Sequence, residues 1–214
     1  MSKPFEARSE RPSSFFLLPF SLTLTLLGCD AASPDLSPEA GEAVVRIAEP
    51  AAAELLQTLV GRLMAAMEEG GPTHAIEFCS SEALPLTRTV QAGLGEGLDL
   101  KRTSFRYRNP DNAPDEAEEA ALLYFEVAIQ DNGQAPSSYV QRISEEELRY
   151  YKPLFVGEPC LACHGASESM DPGVRRVLAE RYPEDLATGY EAGAFRGLVR
   201  VSVPSSALGE GEVP

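Results

Sequence analysis

The sequence predicts an α+β fold, an antiparallel sheet with N-terminal helices packed over one side of it. Three observations carry that expectation. The first half of the chain repeats apolar residues at three- and four-residue intervals, the period of a helix with one buried face. The second half contains short runs of β-branched and aromatic residues separated by Gly, Pro, Asn and Asp, as strands joined by turns do. A loop containing Cys160-Leu-Ala-Cys163-His164 directly follows one of these strands, and the crevice between sheet and helices is a natural place for a large flat ligand.

Lys3, Arg8 and Arg11 precede an apolar stretch over residues 15–27. It is too short to cross a ~30 Å hydrocarbon core as a helix, so residues 1–28 read as a signal peptide. The stretch ends in Leu26-Leu27-Gly28-Cys29, which looks like a bacterial lipobox. Cys29 is then the expected lipidation site, and residues 29–37 a polar tether. Asp30 resembles an inner-membrane retention signal, which places the protein on the periplasmic side of that membrane; the outer membrane and the soluble periplasm are the alternatives. Residues 38–204 have the size of one domain with its own core, and residues 205–214 read as a disposable tail. The formal charge is −15, and loss of the signal peptide removes three cations and two carboxylates, leaving the chain one unit more negative. Such a surface repels nucleic acid and anionic headgroups, so membrane contact runs through the lipid anchor only and a protein partner presents a basic face.

Within the domain, Val44, Ile47, Ala51, Leu55, Leu59, Leu63 and Met67 form one stripe of a helix over residues 38–69. Pro50 kinks it or opens its strongest part. Gly70-Gly71 stops it, and Pro72 starts a second helix that carries His74, Ile76, Phe78 and Cys79. At ~100° per residue Ile76 and Cys79 share a face and His74 lies on the far side. Helical character fades through Pro85 and the glycines after residue 92. Residues 98–107 alternate as a strand with Arg102, Arg106 and Arg108 on one face, an unusual basic strip in an acidic chain. A third helix over residues 114–129 has acidic residues at its positive end and packs through Ala121, Leu122, Phe125, Ala128 and Ile129. Strands follow at 139–143 and 149–156, a fourth helix runs from Asp171 to about Tyr182, and residues 195–203 make the last strand.

The Cys-x-x-Cys-His run sets the chemistry. Two thiols at this spacing can each add to a vinyl group of one haem, and the adjacent imidazole then falls beneath the iron. Cys160 and Cys163 are the expected attachment points, His164 the expected proximal ligand, and one covalent haem c the expected cofactor. Zinc wants four ligands, usually from two such pairs, and there is no second pair and only His74 besides. A thioredoxin-like dithiol opens a helix in a βαβ unit, which is missing around residues 160–163. With Cys29 assigned to lipid and two cysteines to thioethers, Cys79 is left alone. An unpaired cysteine in an exported protein calls for deep burial or use as a ligand. The far side of the iron is thus offered Cys79, His74, Met64, Met67, Met170 or no protein ligand; both helical methionines are equally explained by the apolar stripe, and His74 by a solvated surface. Haem also brings two carboxylates, for which Arg102, Arg106 and Arg108 are the candidate partners.

The stretches Ala75-Ile-Glu-Phe-Cys79, Arg102-Thr-Ser104, Arg108-Asn-Pro110, Asn112-Ala-Pro114, Tyr151-Lys-Pro-Leu154, Cys160 to Gly165, Arg181-Tyr-Pro183 and Gly197 to Val203 occur in this order over roughly residues 40–204. In this the chain resembles the family of haem-containing domains of unknown function (DUF3365-like). The resemblance implies a PAS-like α/β fold with one covalent haem. It also implies iron ligation by the motif histidine and by the cysteine of the Ile-Glu-x-Cys helix, here His164 and Cys79. Related members carry signalling modules, which implies a sensor role; this chain has no such module, so a signal would pass to a partner.

The expected function is a lipid-anchored periplasmic haem protein, either a redox- or gas-responsive module with a diatomic ligand or a one-electron carrier, working with a redox or signalling partner. The alternatives are a small haem enzyme, a peroxidase or nitrite-type reductase relying on His74, and a purely structural haem in an assembly protein.

Overall fold

The computed structural model describes residues 31–33, 36–95 and 97–209; residues 1–28 and Cys29 lie outside the described part. The long helix α1 spans Pro38–Ser81. Ser37 caps it, its hydroxyl accepting from the Ala40 N–H at 3.2 Å, and Pro38 occupies the first turn, where no N–H is needed. The helix continues through Pro50 and bends at Gly71, whose φ of 72° and ψ of −169° are non-helical. The break expected at Gly70-Gly71 is therefore a kink after which Pro72 restarts the helix on a new axis. Val44, Ala51, Leu55 and Leu59 of the predicted stripe are buried, with Ala40, Ala48 and Ala52 filling the close approach to the sheet.

Helix α2 (Ala83–Gly93) occupies a stretch where the sequence reading had helical character fading. Pro85 misled that reading: it lies in the first turn of α2, where its missing N–H costs nothing. Thr87, Val90 and Ala83 face inward.

The sheet comprises β1 (Ala31–Ala32), β2 (Asp99–Thr103), β3 (Tyr139–Arg142), β4 (Glu147–Phe155) and β5 (Phe195–Pro204), in the order β1-β3-β4-β5-β2. All pairings are antiparallel except the short parallel β1–β3 contact. Alternation divides the two faces cleanly. Leu148, Tyr150, Val199, Val201 and Val203 pack under α1 and α2, while Tyr151 and Leu198 turn to the other side, where Ala121, Leu122 and Phe125 of α3 (Glu116–Asn132) cover them. The sheet is thus covered on both faces and not on one.

Helix α3 begins two residues later than expected because Asp115, not the residue before Pro114, is its cap. Asp115 accepts from the Glu118 N–H at 2.8 Å and Glu118 returns the bond to the Asp115 N–H at 3.0 Å, a complete capping box. Glu118 is also fully buried, between Lys101 (2.7 Å) and Arg200 (3.2 Å). These pairs tie α3 to β2 and β5.

Described residues at both ends of the chain pack against the domain. Ser33 donates its N–H to the Val140 carbonyl and Leu36 is buried in the main core, so these two described residues before α1 are docked. At the other end Ser205 and Leu208 are buried, and Leu208 joins the same core, so the tail packs as far as residue 208. Among the described residues no helix is long and apolar enough to cross a membrane.

Candidate functional site

The Cys160–His164 segment leaves β4 through a turn at Gly157 and forms the single-turn helix α4 (Leu161–His164). Its position is fixed from the loop that follows α5 (Pro172–Arg181). Ala187 is fully buried, and its carbonyl oxygen lies 2.7 Å from Nδ1 of His164. A carbonyl only accepts, so Nδ1 carries the proton and Nε2 keeps its lone pair. Burial, reinforced by the cations of Arg108 and Arg196, lowers the His164 pKa to about 3 against this hydrogen bond. The ring is neutral at physiological pH, the form that ligates metal.

Arg108 holds the same loop together. It donates to the Cys163 carbonyl at 2.5 Å and the Ala187 carbonyl at 3.3 Å, and pairs with Asp185 at 3.0 Å, both side chains being about one-tenth exposed. Asp185 in turn accepts from the Ala187 N–H at 2.8 Å.

His164 lines a cleft of ≈ 830 Å³, part of it open to solvent, between the kinked end of α1, the start of α2 and the β2–β5 end of the sheet. Cys79 lines it too, from the last turn of α1. Ile76, one turn earlier on the same face, belongs to a small apolar cluster with Met170, Val174, Leu178 and Tyr182, against which Cys163 packs. Burial raises the Cys79 thiol above its ordinary pKa while Arg102 and Arg108 pull it down. Burial likewise pushes the Tyr182 phenol up to about 12, with Cys79 adding to the effect.

The other candidates of the sequence fall elsewhere. His74 is exposed on the far side of α1, 3.7 Å from Glu69, as its helical phase requires. Met64 is exposed and Met170 is buried in the apolar cluster; neither they nor Met67 line the cleft. The three arginines expected on one strand face are separated, because the strand ends at Thr103 and not at residue 107. Arg102 lines the cleft, and among the described residues no hydrogen bond or ion pair engages its guanidinium. Arg106 is turned outward over the Tyr190 ring, 4.0 Å from its centroid, and donates to the carbonyls of Leu186 and Thr188. Arg108 borders the cleft but is committed to Asp185 and the motif loop.

Arg196 was missed by the sequence reading. Strand parity would put it with Leu198 and Arg200 on the α3 side. The β4–β5 register passes from Leu154↔Gly197 to Phe155↔Phe195, so Arg196 is the extra residue of a β-bulge. Phe195 consequently turns to α3, and Arg196 lines the cleft. Gly197 permits this: its φ is +144°, and a Cβ there would come within 2.4 Å of the Thr103 carbonyl oxygen. The Gly197 in an otherwise regular strand was the available signal.

Among the described residues no group of three or more His, Cys, Asp or Glu side chains gathers as a bare-ion site. The cleft lining suits a flat iron cofactor with acidic arms instead: a neutral imidazole, a thiol and guanidinium groups, with no carboxylate. Cys163 on α4 and Cys160 just before it flank His164 in sequence but pack outside that lining, Cys163 against the Ile76 cluster and Cys160 against Val156, Ala187 and Tyr190. The comparisons agree with that chemistry. The model of the family described as Tll0287-like (Tll0287) matches residues 37–204. Among solved structures the chain is similar to the cyanobacterial haem protein Tll0287, with a TM-score of 0.53 and 25% sequence identity over 78% of this chain and 96% of that one. No curated protein matches.

Proposed function

Since the chain belongs to the Tll0287-like family over residues 37–204, we propose that it is a haem-binding protein with thioether attachment at Cys160 and Cys163 and iron ligation by His164 and Cys79. The observation that carries this reading is the convergence of His164 and Cys79, from opposite ends of the domain, on one cleft. When bound, haem supplies one-electron chemistry at iron and, once a ligand leaves, an open coordination position. The chain's residues prepare the site for it. The Ala187 carbonyl selects the His164 tautomer that presents Nε2, Arg108 and Asp185 hold the motif loop in register, and the cluster of Ile76, Met170 and Tyr182 packs against Cys163.

Bound as a thiolate, Cys79 would favour the ferric over the ferrous state of the iron and so give a low potential. A redox- or gas-responsive module, or a one-electron carrier of low potential, follows from that. In this reading the lipid on Cys29 holds the domain on the periplasmic side of the inner membrane, and a protein partner with a basic face receives the electron or the signal. The test is acid-acetone extraction of purified protein, followed by ferric and ferrous absorption and electron spin resonance spectra with and without carbon monoxide. Colour that stays with the polypeptide and a low-spin ferric spectrum with thiolate character are the expected results; colour that leaves with the solvent excludes thioether attachment. Mass spectrometry of the mature N-terminus tests Cys29 separately.

A further inference from the structure

We propose that Arg102 and Arg196 form a carboxylate-binding pair at the β2–β5 end of the cleft and receive the two acidic arms of the tetrapyrrole, an assignment that rests on the haem-binding reading above. Three observations converge on it.

The first is charge balance. Arg102, Arg108 and Arg196 line the cleft, and no carboxylate does, although the chain as a whole carries a formal charge of −15. Asp185 offsets Arg108. Two guanidinium groups remain uncompensated, and a half-buried cation without a counter-charge is unfavourable unless an anion joins it. Two carboxylates on one ligand match the deficit.

The second is geometry. On β2, Leu100 belongs to the core under α1, and strand alternation puts Arg102 on that same side, toward the cleft. Lys101 points the opposite way, to Glu118. Arg196 reaches the cleft only through the bulge. Its Nη1 is steadied by the Ser104 hydroxyl (3.0 Å) and the Arg106 carbonyl (2.9 Å), while its other guanidinium nitrogens have no hydrogen bond among the described residues. The β2–β5 pairing, Arg102↔Val199 and Thr103↔Leu198, sets the two arginines near one edge of the sheet.

The third is exclusion. Arg106 and Arg108, which the sequence grouped with Arg102, have their donors engaged by carbonyls and by Asp185. Guanidinium is also the side chain suited to bidentate carboxylate recognition, whereas lysine is a point charge.

Resonance Raman spectroscopy of the mature haem-loaded protein reads carboxylate hydrogen bonding directly through the propionate bending band. Arg102→Gln and Arg196→Gln should each shift that band and lower the reduction potential, since a nearby cation favours the ferrous state. Arg106→Gln should leave the band in place. If Arg102→Gln does not accumulate, Arg102→Lys, which keeps charge but loses the bidentate fork, should still shift the band. Unmoved bands in the Arg102 and Arg196 variants, or a shift only in Arg106→Gln, would overturn the assignment while leaving haem binding intact. An unmutated protein without a Soret band would overturn the haem reading itself.

Discussion

The carbonyl oxygen of Ala187 lies 2.7 Å from Nδ1 of His164, so a backbone group far along the chain decides which ring nitrogen of the motif histidine is free. The loop carrying Ala187 is itself held by Asp185 and Arg108. The chemistry of the Cys-x-x-Cys-His run therefore depends on an ion pair that the run does not contain.

Arg108→Ala tests that dependence. It leaves Asp185 buried without its partner and the Cys163 carbonyl without a donor. Breaking a largely buried pair in this way costs about 3 kcal/mol. Urea denaturation should show a lower midpoint with an unchanged slope, and haem content per chain should fall.

Cys79→Ser should abolish the low-spin thiolate spectrum and leave the thioether attachment intact. The potential should rise, because the ferric state loses an anionic donor, and carbon monoxide and cyanide should bind more readily. His74→Ala should change none of these, since His74 is exposed beside Glu69. A Cys79→Ser protein with unaltered spin state and ligand affinity would place the ligand elsewhere.

Gly197→Ala forces a Cβ to within 2.4 Å of the Thr103 carbonyl oxygen at a φ of +144°. The expected loss is about 1–3 kcal/mol. Relaxation of the bulge should withdraw Arg196 from the cleft, so the variant should share the potential shift of Arg196→Gln. Thermal unfolding and potentiometry on the same preparation check both effects.

Thr103→Val should stabilise. The Thr103 hydroxyl is buried without a hydrogen-bond partner among the described residues, and the residue borders the cleft beside Arg102. Replacing an unpaired buried hydroxyl with a methyl of similar shape should gain about 1 kcal/mol, seen as a raised Tm; a fall would mean that the hydroxyl has a partner in the mature protein.

Acid sensitivity should come from the pairs around Arg149. Burial acts to raise Asp115 and Glu147, but hydrogen bonds from the Glu118 N–H and Arg149 to the first, and from Arg149 and Ser202 to the second, hold both below the ordinary carboxylate range. A depressed folded pKa contributes stability above the unfolded value, near ~4, and that contribution is lost as pH falls through the folded value. Both carboxylates are substantially exposed, 47% and 34%, so the loss is at most about 1 kcal/mol per pair. Arg149→Leu should flatten the fall in Tm below pH ~4; an unchanged acid slope would assign the sensitivity to other groups.

Features that depend on neighbours along the chain could be read from residue order. Helical period and strand alternation made α1, α3, α5, β4 and β5 legible, and residue spacing put Cys79 and His74 on opposite sides of one helix. The spacing of the Cys160–His164 run pointed to haem, in keeping with the family match. Tertiary structure decided everything that depends on where a periodic element stops. The three arginines of residues 102–108 looked equivalent because alternation was extended past the true strand end at Thr103, and Arg196 looked misplaced because one bulge reverses parity for every residue beyond it. Pro85 gave the signal of a helix breaker and stands where a helix tolerates it. The partners of His164 and Arg108, a backbone carbonyl and Asp185, carry no local pattern at all. They become visible only when packing returns the chain to the motif, because a hydrogen bond is fixed by distance in space and a sequence records only distance along the chain.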